Sequence, residues 1–195
     1  MKSTEFLTDE DEMAEKYAGL ILEDCQAYLR QNNPKNAPMY RGIKATTMDR
    51  RENTFLKKRV RLDDRTPKDT STDLHGILND YFNERYGAPF RNAMFCTGDF
   101  NFARNYGQVF HIFPRGNFEF LWSKDVDDLY SMRDEYFGMV GAQEEFLTAL
   151  KNTQYYTTDL PNALKYNNEI MMRCNSYYAL NDDNEAVVSK VLNLL

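Results

Sequence analysis

Three short segments, far apart in the chain, each set one polar side chain among residues that favour burial: Tyr40-Arg41-Gly42, Phe95-Cys96-Thr97-Gly98 and Asn168-Glu169-Ile170. Each reads as a strand. An arginine, a small hydroxyl and a glutamate meeting in one cleft suit a ligand that carries both phosphates and a ribose. A guanidinium makes two parallel hydrogen bonds to a phosphate and keeps its charge at any relevant pH. On a strand flanked by Tyr40 and Ile43, Arg41 is expected to be partly buried and to need an anion, either a ligand or a core carboxylate. Gly42 beside it is expected to let a ligand approach the backbone. Thr97 ends its strand before a polar turn, where its hydroxyl can bond a ribose or orient a catalytic group. The same stretch also serves as plain strand-turn-helix connection. Glu169 opens an apolar strand, which is costly if the carboxylate is buried without a partner. At a strand start it can equally be exposed. Facing the cleft, it would accept a hydrogen bond from a ribose hydroxyl and stabilise positive charge at the anomeric carbon.

The elements that must position these groups follow from pattern. Thr8-Asp9-Glu10-Asp11 is a capping-box helix start. Apolar spacing carries that helix to Asn32-Asn33-Pro34, where it is expected to end. Strands are expected over 38–45 and, ragged and basic, over 54–62, with a loop over 48–53. A helix capped by Thr70 or Ser71 and closed at Gly87 presents Leu74, Ile77, Leu78, Tyr81 and Phe82. The 93–97 strand leads through Asp99 into a short helix ended by Gly107. Strands 109–113 and 118–122 flank a hairpin-like turn at 114–117. Residues 125–150 read as helix with a break near Gly138 and Gly141. Asp159-Leu160-Pro161 starts another helix. Strands at 169–174 and 177–180 are followed by a turn at 182–184 and a tail at 185–195 that reads as an amphipathic helix, though its valines also permit a strand. This is an α+β pattern in one domain, with a helical part at 1–37, a core at 38–181 and a tail at 182–195.

The 195 residues carry 13 Tyr, 13 Phe, 1 Trp and a net charge of −6. Such length supports one good core, and the acidic balance argues against general nucleic-acid binding. One basic stretch departs from it: Arg50, Arg51, Lys57, Lys58, Arg59, Arg61 and Arg65. It reads as a solvated face, with a phosphate or acidic-partner patch as the sharper alternative. Cys25, Cys96 and Cys174 lack metal or disulfide spacing, so no metal and a reduced cytoplasmic setting are expected. His75 and His111 read as packed or surface histidines. No signal peptide or membrane span is expected.

The succession Tyr-Arg-Gly, then Phe-x-Thr-Gly leading into Ala103-Arg-Asn-Tyr106-Gly, then Asn-Glu-Ile resembles the ADP-ribosyltransferase superfamily, in its Arg, Ser/Thr, Glu branch. The resemblance spans 38–180 through short motifs. It implies a split antiparallel sheet that clamps NAD, used as a substrate. Arg41 would hold the NAD phosphates or the nicotinamide ribose. Thr97 would take the centre of the Ser-Thr-Ser motif, and Glu169 would be the catalytic glutamate. Phe100 and Tyr106 would line the nicotinamide pocket. It is also compatible with a phage-encoded protein acting in the host cytoplasm. Two departures stand out. Cys96-Thr97-Gly98 lacks both flanking serines. Asn167 stands where arginine-modifying members have the first glutamate of Glu-x-Glu, so the acceptor stays open between a protein, a nucleic acid and water. A catalytically silent binding or virion-associated protein is the alternative reading, and a nucleic-acid binder using the basic stretch is a third.

Overall fold

The structure is a computed structural model. It describes residues 8–44, 54–63, 65–66, 71–136 and 141–195. The loop expected over 48–53, Arg50 and Arg51, the Thr70 cap and the Gly138 break lie outside those residues.

Thr8 caps helix α1 (Asp9–Asp24), with the reciprocal Asp11 bond that completes a capping box. The single N-terminal helix expected from sequence is in fact broken at Cys25, and a short α2 follows (Gln26–Leu29). The cause is a competing acceptor role. The Asp24 carbonyl accepts the Gly116 N–H at 2.7 Å. Its carboxylate oxygen accepts from Arg115 Nε and Nη2 at 2.9 and 2.7 Å and from the Tyr178 hydroxyl at 2.6 Å. These bonds, Tyr178 foremost and Arg115 next, hold the Asp24 carboxyl below its usual range. A depressed carboxyl stabilises the fold above its unfolded pKa and loses that contribution as pH falls through the folded value. Asp24→Asn is therefore expected to cost about 1–2 kcal/mol at pH 7, the value being reduced by partial exposure. Urea melts at pH 7 and pH 3 should show the gap to wild type closing at the acid end.

Two antiparallel sheets form the centre. The four-stranded sheet has the order β1-β4-β7-β2, from β1 (Tyr40–Ile43), β2 (Phe55–Arg59), β4 (Gln108–Pro114) and β7 (Ser176–Asn181). The three-stranded sheet has the order β3-β6-β5, from β3 (Met94–Cys96), β5 (Phe118–Trp122) and β6 (Ile170–Cys174). The hairpin expected at 114–117 does not form as a pair: β4 bonds to β1 and β7, whereas β5 bonds to β6. Arg115 and Gly116 bind Asp24, and this anchored turn sends its two strands into different sheets.

Helices cover both outer faces. On the four-stranded sheet, Tyr17 of α1 stacks on Phe55 at 4.4 Å and Tyr28 meets Phe113 edge-on. The C-terminal α8 (Glu185–Leu194) packs on α1 with Val187, Val188 and Val191 buried. Alternation along β6 divides its side chains between two cores. Ile170, Met172 and Cys174 join the core shared with the four-stranded sheet. Met171 joins a second core with residues of α3 (Thr72–Tyr86), α5 (Leu129–Asp134) and α6 (Ala142–Asn152). Ser71 caps α3. His75 and His111 are both buried. The three cysteines are buried and free, and burial pushes the Cys96 thiol up to about 12. Among the described residues no helix is long and apolar enough to cross a membrane, and no group of three or more His, Cys, Asp or Glu is placed to hold a metal.

Candidate functional site

Among the described residues one bridged pair links strands of the two sheets, Tyr40 and Thr97, whose backbone N–H groups bond each other's carbonyl at 2.8 and 3.0 Å. Beyond this bridge the strands part. Arg41, the next residue on β1, reaches back across the gap, and its Nη1 donates to the Phe95 carbonyl at 3.0 Å. A guanidinium thus takes the ladder bond that the parting strands no longer make. Its electrostatic influence reaches Cys96, where that of Glu169 also falls.

On the other side of β3, the register pairs Cys96 with Ile170. Thr97 follows Cys96 and Glu169 precedes Ile170, so the two residues lie just beyond the last pair of this register. Thr97 is buried, its hydroxyl donating to the Asn167 carbonyl at 2.7 Å and accepting the Asp99 N–H at 3.0 Å. Asn167 has the left-handed φ of 63° that ends α7 (Leu160–Tyr166), turning the chain into β6. Its side chain is exposed. Two bonds fix the backbone around Glu169. Its own N–H donates to the Asp127 carbonyl at 2.6 Å, and Asn168 Nδ2 donates to the Ser123 carbonyl at 2.9 Å. The sequence thus gives Asn167 and Asn168 two jobs: the first turns the chain, and the second pins it to the end of β5.

The Glu169 side chain is 16% exposed and its Oε1 lies 3.4 Å from Arg91 Nη1. Burial pushes the Glu169 carboxyl up, Arg91 opposes this, and the nearby Asp128 charge adds to the rise. Asp128 itself is buried and caps α5 through Ser131.

Arg41, Thr97 and Glu169 are therefore on three neighbouring strand ends. Gly42 and the aromatic candidates have other positions. The space beside Gly42 is not open to a ligand. A Cβ there would run into the Ala103 carbonyl and come within 2.9 Å of Tyr106. Gly42 is small so that α4 (Phe100–Arg104) can seat on β1. Phe100 packs edge-on against Tyr40 at 5.6 Å, and Tyr106, 51% exposed, meets Phe102 at 5.5 Å. Phe100 thus packs α4 against β1 beside the bridge.

Little in the sequence singles out Arg91. Arg65, expected on a solvated face, turns its side chain inward. The Arg65 guanidinium lies 4.1 Å and that of Arg91 4.6 Å from the Phe95 ring centre. Arg65 Nη1 bonds the Ala93 carbonyl. Burial, with Arg91 and Arg41 nearby, lowers the Arg65 guanidinium to about 10. The only hint in sequence was an arginine three residues ahead of a buried strand. Lys57, Lys58 and Arg59 stay on β2, at the far edge of the four-stranded sheet from β1. A surface hollow of about 560 Å³ runs along α6 and includes none of these residues.

Compared with protein-family models, with curated proteins and with solved structures, the chain matches none.

Proposed function

We propose that this chain is an NAD-dependent mono-ADP-ribosyltransferase that moves ADP-ribose to a macromolecular acceptor and releases nicotinamide. The observation that supports the reading is that Thr97 and Glu169 both lie just beyond the Cys96–Ile170 pair, next to an arginine set where two antiparallel sheets part. Arg41 would hold a phosphate or the nicotinamide ribose. Glu169 would accept a hydrogen bond from the ribose 2′-hydroxyl and stabilise the cationic sugar carbon as the bond to nicotinamide breaks. The electron pair of that bond leaves with the nicotinamide nitrogen, and the acceptor's nucleophile then bonds the sugar carbon and loses its proton. Thr97 would act through the Asn167 carbonyl, keeping the start of β6 in register.

Incubation of the purified chain with adenylate-labelled NAD and a cell lysate should transfer label to a macromolecule or release free ADP-ribose. Neither product appearing would sink the enzyme reading.

A catalytically silent binding protein is the second reading. It is favoured by the Arg91 side chain, which occupies the glutamate the reaction needs, and by the missing serines beside Thr97. Under this reading NAD leaves the melting temperature unchanged, whereas ligand at a hundred times its Kd adds roughly 2.7 kcal/mol of apparent stability.

A further inference from the structure

Three arginines gather around one short strand. Arg41 bonds the Phe95 carbonyl, Arg65 bonds the Ala93 carbonyl, and Arg65 and Arg91 both lie over the Phe95 ring. Cation–π contact holds such guanidinia in place while leaving their N–H forks free to bond in plane. Their negative company among the described residues is thin. Glu169 is the carboxylate that meets them directly, and the Asp128 carboxylate is engaged in capping α5. Crowded guanidinia are unfavourable until an anion joins them; burial first, and Arg91 and Arg41 after it, lower the Arg65 guanidinium.

Arg91 is loosely held. Its Nη1 is 3.4 Å from Glu169, well beyond the roughly 2.7–2.9 Å of a strong charge-assisted bond. Its other contact is the weakly accepting Met171 sulfur at 3.9 Å. Its Nε is buried with no partner among the described residues. A guanidinium fixed over a ring, with a loose carboxylate contact and an idle donor, can exchange that contact for a better acceptor. Two linked phosphates offer oxygens at several positions at once, matching forks that approach from more than one side.

We infer that Arg91, Arg65 and Arg41 form a clamp for a pyrophosphate group, and that Glu169 latches Arg91 until the pyrophosphate displaces it. Occupying the clamp and freeing the Glu169 carboxylate are then one event. The role of the freed carboxylate rests on the transferase reading, whereas the clamp itself does not.

Calorimetric titration of inorganic pyrophosphate, ADP, AMP and NAD separates these claims. ADP and pyrophosphate should bind, with AMP at least about tenfold weaker because one phosphate cannot span the clamp. Arg91→Gln should weaken ADP by about tenfold or more, and Arg91→Lys, which keeps the charge but loses the fork, should weaken it nearly as much. Glu169→Gln should tighten ADP, and about tenfold more in the wild-type background than beside Arg91→Gln, since only the former has a latch to release. Equal tightening in both backgrounds would mean plain charge repulsion and would overturn the latch. Equal binding of AMP and ADP, or full ADP affinity in both Arg91 variants, would overturn the clamp. If Arg91→Gln does not fold, Arg91→Met, which also removes the charge, supplies the second background. Cleavage of NAD without ADP or pyrophosphate binding would defeat the clamp and leave the transferase reading standing. NAD binding with the latch effect but no cleavage would do the reverse.

Discussion

Replacing Glu169 by glutamine is expected to slow cleavage of the nicotinamide–ribose bond by about 100–1,000-fold, the usual effect of removing one pre-placed electrostatic group from a buried site. The amide keeps the shape and can still accept a hydrogen bond, but it lacks the charge that would face the cationic sugar carbon. The same substitution has a second signature in stability. Burial raises the Glu169 carboxyl in the folded protein, so the folded state holds its proton over a pH range where the unfolded chain has released it. Stability then falls as pH rises through that range, from the unfolded pKa of about 4.3 upward. Glutamine does not titrate. Melting curves of the two proteins should therefore nearly coincide near pH 4 and separate toward pH 7, with wild type the less stable. A gap independent of pH would contradict the burial of this carboxylate. A glutamine variant retaining full turnover would remove Glu169 from the reaction.

Gly98→Ala is the substitution expected to harm the fold most. A Cβ at this position would collide with the Leu164 carbonyl, a backbone atom that cannot swing aside, and would come within 3.0 Å of Asn167 Oδ1. Making room means pushing α7 away from the end of β3. That shift also pulls the Asn167 carbonyl off the Thr97 hydroxyl. The expected loss is about 3 kcal/mol, or about 6–12 °C in melting temperature for a chain of this size. Gly76→Ala is the contrasting substitution. Gly76 lies inside α3 with nothing near its absent Cβ, so alanine should stabilise by about 0.5–1 kcal/mol. Thermal melts of the two variants should move in opposite directions. A Gly98→Ala protein that melts with wild type would mean that α7 and β3 do not meet as closely as described.

The elements themselves were readable because their signals are local. Thr8, Ser71, Asp99 and Asp159 each cap the helix expected of them. The strand over Phe118–Trp122 has its expected bounds. What sequence could not show was which sheet each strand enters. Arg115 and Gly116 look like an ordinary tight turn. Their binding to Asp24, distant in the chain, is what separates β4 from β5. The same holds within the site. The types of Arg41 and Glu169 stood out because a charge in an apolar run calls for explanation. Arg65 sits in a run of basic residues, where an inward side chain looks like its solvated neighbours. Arg91 precedes its strand in a loop, where no periodicity marks a face. The Thr97 partner is a backbone carbonyl, which no side-chain pattern records. Gly42 was read for the right property, small size, but the group that comes close is a helix terminus.

β6 and β7 follow each other with Asn175 alone between them, yet they enter different sheets. Each pairs on both sides with strands made earlier in the chain, so each sheet is whole only once its own late strand has been added. During synthesis, the first two-thirds of the protein would leave the ribosome with β1–β4 paired, β2 unpartnered, and β3 and β5 lacking the strand between them. Such long-range closure is slow compared with local pairing and leaves strand edges open to other chains meanwhile. Glu169 arrives with the segment that closes the sheets. A nascent or prematurely terminated chain ending before it would hold Arg41 and Thr97 but no complete site, so the chemistry proposed for the finished protein is withheld until the fold around it is closed.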